Sequence, residues 1–400
     1  MVNPLTESLL IEGATLVTPS GTRQGLSLLV ETGRIKRIFA PEGQERPRVQ
    51  KILALDNHTL FPGFIDIHTH GATGFDVMTA NEEDLHRVGQ YLAMNGVTAW
   101  LPTLVPAPVE DYRRATQAVE QFISRQPERA PSARALGLHY EGPFVNDQQC
   151  GALRPRFFRT FKSAADMDAL PALTLSGARH MMTLAPEVSG GLELVLELKR
   201  RGWIVSIGHT RADAQTLDRA FRAGAHHMTH FFNAMPTLHH RSPGPVGWGL
   251  AHDHVTCDVI ADGVHVDPLV LKLLFRAKGA AHVALISDSV APAGMGDGQF
   301  RLWGETITVQ AGRTQNESGH IAGSVINLSD AARLIRRLGI SAYDIALMAA
   351  RNPARLLGIE DDCGTIEEGK RADLVALDDD YRVRLTIIGG RIAFNNESST

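Results

Sequence analysis

Between residues 60 and 290 the chain switches repeatedly between two hydrophobic periods. Short, nearly all-apolar runs recur as LFPGFIDIHTH, TAWLPTLV, ARALGLHYEGPF, HMMTLAP, WIVSIGHT, HHMTHFFNAM, VTCDVIADGVHV and HVALISDSV. Segments with apolar residues at helical spacing follow most of them, over 82–95, 109–126, 190–201, 211–223 and 268–278. Long loops follow the third and sixth runs instead. Strands that are apolar on both faces belong in a parallel sheet covered on both sides. Eight such units predict a (β/α)8, TIM-like barrel rather than an open sheet. Residues 1–57 lack helical periodicity and read as strands broken by Gly21, Gly25, Gly33 and Pro41. After two helical segments at 327–338 and 341–355, the stretch GTIEEGKRADLVALDDDYRVRLTIIGGRIA returns to strand and turn character. The predicted organisation is a small β-sandwich domain built from residues 1–57 and 360–400, flanking a catalytic barrel over 58–359. The terminal NESST is expected to fray.

Composition narrows the class. Of the 400 residues, 40 are Lys or Arg and 44 are Asp or Glu, a net charge of −4, which argues against a nucleic-acid partner. Hydrophobic residues at 44% and charged residues at 21% exclude intrinsic disorder. Cys150, Cys257 and Cys363 are too few and too scattered for a disulfide framework or a CxxC metal site. No signal peptide and no apolar stretch of membrane-spanning length is read, so a soluble cytoplasmic protein without a membrane partner is expected. The unusual count is 17 histidines.

Their positions supply the candidate chemistry. His68 and His70, at i and i+2 on the first strand, share a face at the strand's C-terminal end, where barrels place their active sites. Glu141 ends the third strand, His209 the fifth and Asp288 the eighth, and His230 lies on the sixth. Only the C-terminal rim of one barrel brings five such strands together. Imidazole and carboxylate ligands suit Zn²⁺, with Fe²⁺ as the second choice. Of the other histidines, His58, His86, His139, His180 and His226 read as structural or solvated. Strand alternation from His230 turns His227 away from the barrel interior. His239 and His240 sit in the loop after the sixth strand, His252 and His254 have no evident partner, and Cys150 lies in a loop near Glu141.

Taken together, PGFIDIHTHG, NGVTAWLPTL, LHYEGPF, IGHT, THFFNAM followed by SPG, DGVHV, ISDS, IAGS and NPARLLGI with GTIEEGKRADLVALD resemble the N-acetylglucosamine-6-phosphate deacetylases of the amidohydrolase superfamily. The resemblance spans about 60–380 in the expected order. It implies that Glu141, His209 and His230 hold a metal, that His68 and His70 match members holding a second, and that Asp288 is the catalytic carboxylate. It places Asn233, Ala234, Arg241, His265, Ile321, Ala322 and Gly323 at substrate contacts, with Arg241 and His265 reaching the sugar phosphate across a dimer interface, so a homodimer is implied. Where many relatives carry Gly-Ala-His, this chain reads Gly151-Ala152-Leu153; Ala152 and Leu153 are left to line the pocket, since leucine donates no hydrogen bond. A second metal or His239 could replace the missing donor. The expected reaction is hydrolysis of the acetamide of N-acetylglucosamine 6-phosphate by metal-bound hydroxide, with Asp288 as general base and then acid. The alternative is a related substrate: N-acetylgalactosamine 6-phosphate, another N-acyl amino sugar or an N-acyl amino acid. A dihydroorotase-like enzyme is disfavoured by the lack of a lysine at position 141, a metal-free scaffolding relative by the presence of all six metal-site residues, and a Rossmann-type binder by the absence of GxGxxG.

Overall fold

The computed structural model describes residues 8–43 and 45–396, so that residues 397–400 of the terminal NESST lie outside the described part. Eight parallel strands form the central ring: β1 (Phe64–Thr69), β2 (Val97–Leu104), β3 (Gly137–Glu141), β4 (Arg179–Leu184), β5 (Ile204–Ile207), β6 (His227–Met228), β7 (Thr256–Ile260) and β8 (Val283–Ile286). Each pairs with its sequence neighbour. The ring is closed above β8, where the Asp288 N–H donates to the His68 carbonyl (2.9 Å) and the His70 N–H to the Ser289 carbonyl (2.8 Å).

The alternation of side chains along these strands explains both layers. Leu101, Met181, Ile260 and Ile286 form one buried cluster, and strands on opposite sides of a ring meet only through its interior. Their neighbours Trp100, Met182, Val259 and Leu285 face outward and pack against Leu85, Val88, Val119, Leu194, Leu217 and Leu271 of the surrounding helices. Local sequence sets the helix starts: Asn81 and Asp84 form a reciprocal capping box on Glu82–Met94, as do Asn327 and Asp330 on Leu328–Arg337. The helical pattern over 341–355 is realised as Ala342–Ala346, a π-helical turn Leu347–Arg351 and Asn352–Leu356. Pro353, which has no N–H to donate, falls where the ladder is interrupted.

Both chain ends contribute to a second unit. A four-stranded sheet, in the order Arg34–Phe39, Ser27–Glu31, Ser8–Glu12 and Lys51–Ala54, lies against a six-stranded sheet in which Thr59–Pro62 pairs with Leu374–Leu377. Leu9, Ile11, Leu28, Val30 and Leu53 of the first sheet share a buried cluster with Leu16, Leu60, Leu374, Leu385 and Ile387 of the second.

Two elements differ from the sequence reading. The Gly/Pro-rich loop after β6 contains a helix, Gly244–Ala251. Between β8 and Leu328–Arg337 the chain makes a three-stranded antiparallel excursion, Gly298–Leu302, Glu305–Gln310 and Arg313–Gln315. Among the described residues, no helix is long and apolar enough to cross a membrane.

Candidate metal centre

The C-terminal ends of the strands bring Glu141, His68, His70, His209, His230 and Asp288 into one buried cluster. Two donor triads share the Glu141 carboxylate: His68, His70 and Glu141 on one side, and Glu141, His209 and His230 on the other, each with its donor atoms within 4.8 Å of one another. Glu141 Oε1 lies 3.0 Å from His209 Nε2 and 3.1 Å from His230 Nε2, and Oε2 lies 3.4 Å from His70 Nε2. Asp288 Oδ1 approaches His70 Nε2 at 3.1 Å and His68 Nε2 at 3.5 Å.

The outer nitrogens of these rings decide what the inner ones present. His209 Nδ1 is 2.7 Å from the Gln149 carbonyl and His70 Nδ1 is 3.2 Å from the Thr103 carbonyl. A carbonyl only accepts, so both Nδ1 atoms carry the proton and both Nε2 lone pairs point inward. His68 Nδ1 meets Thr229 Oγ1 at 3.0 Å, and that hydroxyl donates its single proton to Asp258. His68 therefore also donates from Nδ1 and turns a bare Nε2 to the cluster. Lone pairs then face one another between His68 and His70 at 3.2 Å, and the His209 lone pair faces His230 Nε2 at 3.1 Å, with carboxylate oxygens beside them. Such a donor set is reconciled by positive charge at its centre, and its N/O composition suits a divalent cation.

Electrostatics point the same way. Burial alone would raise the Glu141 pKa, but the Nε2 atoms of His209 and His230 set against its carboxylate hold it well below the usual carboxylate range. Desolvation would lower His70, yet the bond to Asp288 and the charge of Glu141 carry it up to about 9, so a second proton at Nε2 and a cation compete for the same lone pair. His68, fully buried, is driven well below the ordinary imidazole value by desolvation. The site thus favours a cation at its carboxylates.

Backbone strain aims several of these groups. His209, His230 and Asp288 have φ of 47°, 29° and 50°, the left-handed region that L side chains seldom occupy. They sit on turns just past β5, β6 and β8, and a support layer fixes them. The His230 N–H donates to the Asp258 carboxylate, which also takes bonds from Thr229 and from His227 Nε2 at 2.9 Å. His139 places its ring edge-on to His68, 4.6 Å between centroids, with Nδ1 donating to the Ile67 carbonyl.

That layer corrects one expectation. His227 is buried inside the barrel on Asp258 rather than turned away from it. Strand β6 ends at Met228 and the chain turns through His230, so alternation counted back from His230 fails. Sequence reasoning also missed Thr229 and Asp258, whose only signal is adjacency to His230 or parity along β7.

The other candidates occupy the surrounding loops. Leu153 is buried and Ala152 half-buried. Asn233 Nδ2 is buried without a hydrogen-bond partner, and Ala234 has φ 51°. Ala322 is buried beside half-buried Ile321. At Gly323 an added Cβ would meet Val290 Cγ1 at 2.5 Å and the Asp288 carbonyl oxygen at 2.9 Å. His265 is held by Asp262, Nδ1 to Oδ2 at 2.7 Å, while Arg241 is exposed with Nη1 2.9 Å from His240 Nε2. Neither Arg241 nor His265 hydrogen-bonds to the His/Glu/Asp cluster.

Comparison with known proteins places this geometry. The model of the Amidohydrolase family matches residues 59–393. An N-acetylglucosamine-6-phosphate deacetylase from Bacillus subtilis (strain 168) is 36% identical, covering 98% of each chain. An N-acetylgalactosamine-6-phosphate deacetylase from Escherichia coli O157:H7 is also 36% identical, over 84% of this chain and 88% of its own. The structure of a mutant N-acetyl-D-glucosamine-6-phosphate deacetylase from Mycobacterium smegmatis, in complex with N-acetyl-D-glucosamine-6-phosphate, superposes with a TM-score of 0.87 at 29% identity, covering 97% of this chain and 100% of that one. The chain belongs to the amidohydrolase family, in the group that the N-acetylglucosamine-6-phosphate deacetylases represent.

Proposed function

We propose that the protein hydrolyses N-acetylglucosamine 6-phosphate to glucosamine 6-phosphate and acetate. The observation that carries the reading is the placement of the Asp288 carboxylate 3.1 Å from His70 Nε2, at the edge of two donor triads joined by Glu141. Glu141, His209 and His230 hold one divalent cation, and His68 and His70 complete a second position; Zn²⁺ fits the N/O donor set, with Fe²⁺ next. A divalent ion there supplies Lewis acidity, polarising the amide carbonyl and making water acidic enough to serve as nucleophile near neutral pH. Asp288 takes the water proton as the new C–O bond forms, then returns it to the nitrogen as the C–N bond breaks, releasing acetate and the free amine. Its left-handed backbone and the 2.9 Å bond from its own N–H to the His68 carbonyl fix the carboxylate above the ring.

Phosphate recognition falls to Arg241, His265 and Asn233. A guanidinium fork matches phosphate oxygens, and the unpartnered Asn233 Nδ2 offers a further donor. Arg241 stands exposed and apart from the cluster, which is consistent with the role that the resemblance implies for it, serving the site of a partner subunit in a homodimer. Exposed apolar side chains flanking these residues support that assembly: Leu238 before Arg241, Val264 beside His265, and Leu269 and Leu273 on the next helix. Three free thiols accord with a cytoplasmic location.

A second reading is favoured by N-acetylgalactosamine-6-phosphate deacetylases among the relatives, one of them at 36% identity, together with Leu153 where many relatives carry histidine. One assay separates them: acetate release from both 6-phosphorylated epimers and from unphosphorylated N-acetylglucosamine. The proposal requires the glucosamine epimer to give the highest kcat/KM, and Arg241→Ala to raise KM for the phosphorylated sugar only. Preference for the galactosamine epimer selects the second reading, and equal KM changes on both sugars discard the phosphate role.

A further inference from the structure

Trp303 occupies the first of two residues in the turn that joins Gly298–Leu302 to Glu305–Gln310, where Leu302 pairs with Glu305. Both turn residues have positive φ, 52° at Trp303 and 88° at Gly304. That geometry ordinarily takes Asn, Asp or Gly at its first position, so a tryptophan there is a strained choice. Arg154 holds it in place: Nη1 donates to the Trp303 carbonyl (3.1 Å) and Nη2 to the Pro106 carbonyl (3.2 Å). One guanidinium thereby ties the turn to the segment after β2 and to the Ala152–Leu153 loop. The indole stands edge-on to His70, 5.5 Å between centroids at 83°. Trp100, Trp203 and Trp248 are buried, whereas Trp303 is half-exposed.

Behind the ring lies an apolar cluster of Val290, Ala291, Leu302, Ile307 and Ala322, against which Ala152 packs. It is joined to the reacting end of the site through backbone: the Ser324 N–H donates to the Asp288 carbonyl (2.7 Å) and the Val290 N–H to the Ser324 carbonyl (3.0 Å). The polar candidates for sugar and phosphate, Asn233, Arg241 and His265, come from other loops. An amide whose carbonyl carbon reaches Asp288 and His70 can point its alkyl end at this apolar wall, where Trp303 already meets the His70 ring.

We propose that Trp303, with Ala152 and Ala322, forms the acyl pocket of the site and limits the acyl group to acetyl. The inference rests on the deacetylase reading above and extends it to the acyl end of the substrate. The indole closes the space beyond the methyl, and the strained turn with its arginine clamp keeps it from swinging aside.

The test compares kcat/KM for N-acetyl-, N-propionyl- and N-butyryl-glucosamine 6-phosphate in wild type, Trp303→Phe and Trp303→Ala, with metal content measured on each sample. Wild type should fall by about 10–100-fold for each methylene added, the discrimination a closed apolar pocket gives. Trp303→Ala should retain its metal and narrow the acetyl-to-butyryl ratio by at least about tenfold, with Trp303→Phe between. Ala322→Val, which adds bulk to the apolar cluster behind the indole, should depress the propionyl substrate more than the acetyl one, and it keeps the test open if Trp303→Ala fails to fold. An unchanged ratio in the tryptophan variants, with all three substrates slowed equally, overturns the pocket and marks the indole as a platform for the sugar ring. A wild-type protein that cleaves none of these amides removes the deacetylase reading, and the pocket with it.

Discussion

The barrel rim and the terminal sandwich are both deeply buried β structure, yet they bury opposite chemistry. In the sandwich, Ile11, Leu28, Val30, Leu60 and Leu385 face one another across two sheets. Removing such side chains from water stabilises the fold by roughly 25 cal/mol per Å² of apolar surface. At the rim, His68, His70, Glu141, His209, His230 and Asp288 are buried to a similar degree, and burial of ionisable groups opposes folding unless opposite charge and hydrogen bonds compensate. The rim also holds three of its donors in left-handed backbone. Depth of burial therefore does not separate the regions; what is buried does. The sandwich contributes stability without chemistry, and the rim spends stability on a preorganised cluster.

Substitutions should divide along that line. Asp288→Asn at the rim is expected to lower kcat by about 10²–10⁴-fold, the usual contribution of a positioned acid–base group, with bound metal retained. If kcat stays within about tenfold of wild type, or 1.4 kcal/mol, the proton passes through another group. Leu28→Ala in the sandwich should cost about 2–5 kcal/mol in denaturant unfolding while kcat/KM of the remaining folded protein is unchanged. An equivalent drop in activity would show the two regions to be coupled. Thr229→Val keeps the side-chain shape and removes the hydroxyl between His68 and Asp258, so metal affinity should weaken by about 10–100-fold, measured by competition with a chelator. No change would reduce Thr229 to packing.

A further prediction concerns pH. Burial pushes His180 down to about 4, where it stacks on Trp203 and its Nε2 accepts the Leu173 N–H. The fold prefers the neutral ring, whereas the unfolded chain takes up the proton near pH 6.5. Stability is therefore fully present above about 6.5 and falls as the pH drops towards 4, by up to about 1.4 kcal/mol per unit. His180→Gln should flatten the fall in unfolding free energy between pH 7 and 5; an unaltered slope would assign that acid sensitivity to the rim alone.

Much of this architecture was legible in the sequence because its signals are local and repeated. Apolar runs alternating with helical periods marked all eight strands, and His68, His70, Glu141, His209 and Asp288 fall at or just past strand ends. What stayed hidden depends on geometry that period counting does not carry. His227 was misplaced because β6 is only two residues long and its alternation stops before His230. Asp258 looks like any polar residue in VTCDVI until its carboxylate is seen between His227, Thr229 and the His230 N–H. Trp303 lies in a stretch whose short strands follow β8 without apolar periodicity, and its turn contradicts the residue preferences by which turns are recognised.

The central claim is that the Glu141-bridged cluster holds a divalent cation that amide hydrolysis requires. The direct measurement is acetate released from N-acetylglucosamine 6-phosphate by one preparation before chelation, after chelation and after stepwise return of Zn²⁺, with bound metal counted at each step. The account predicts release that vanishes with the metal, returns in proportion to the ions bound, and is not recovered by Glu141→Gln at the same metal concentration. Undiminished release from metal-free protein, or full recovery in Glu141→Gln, would contradict it.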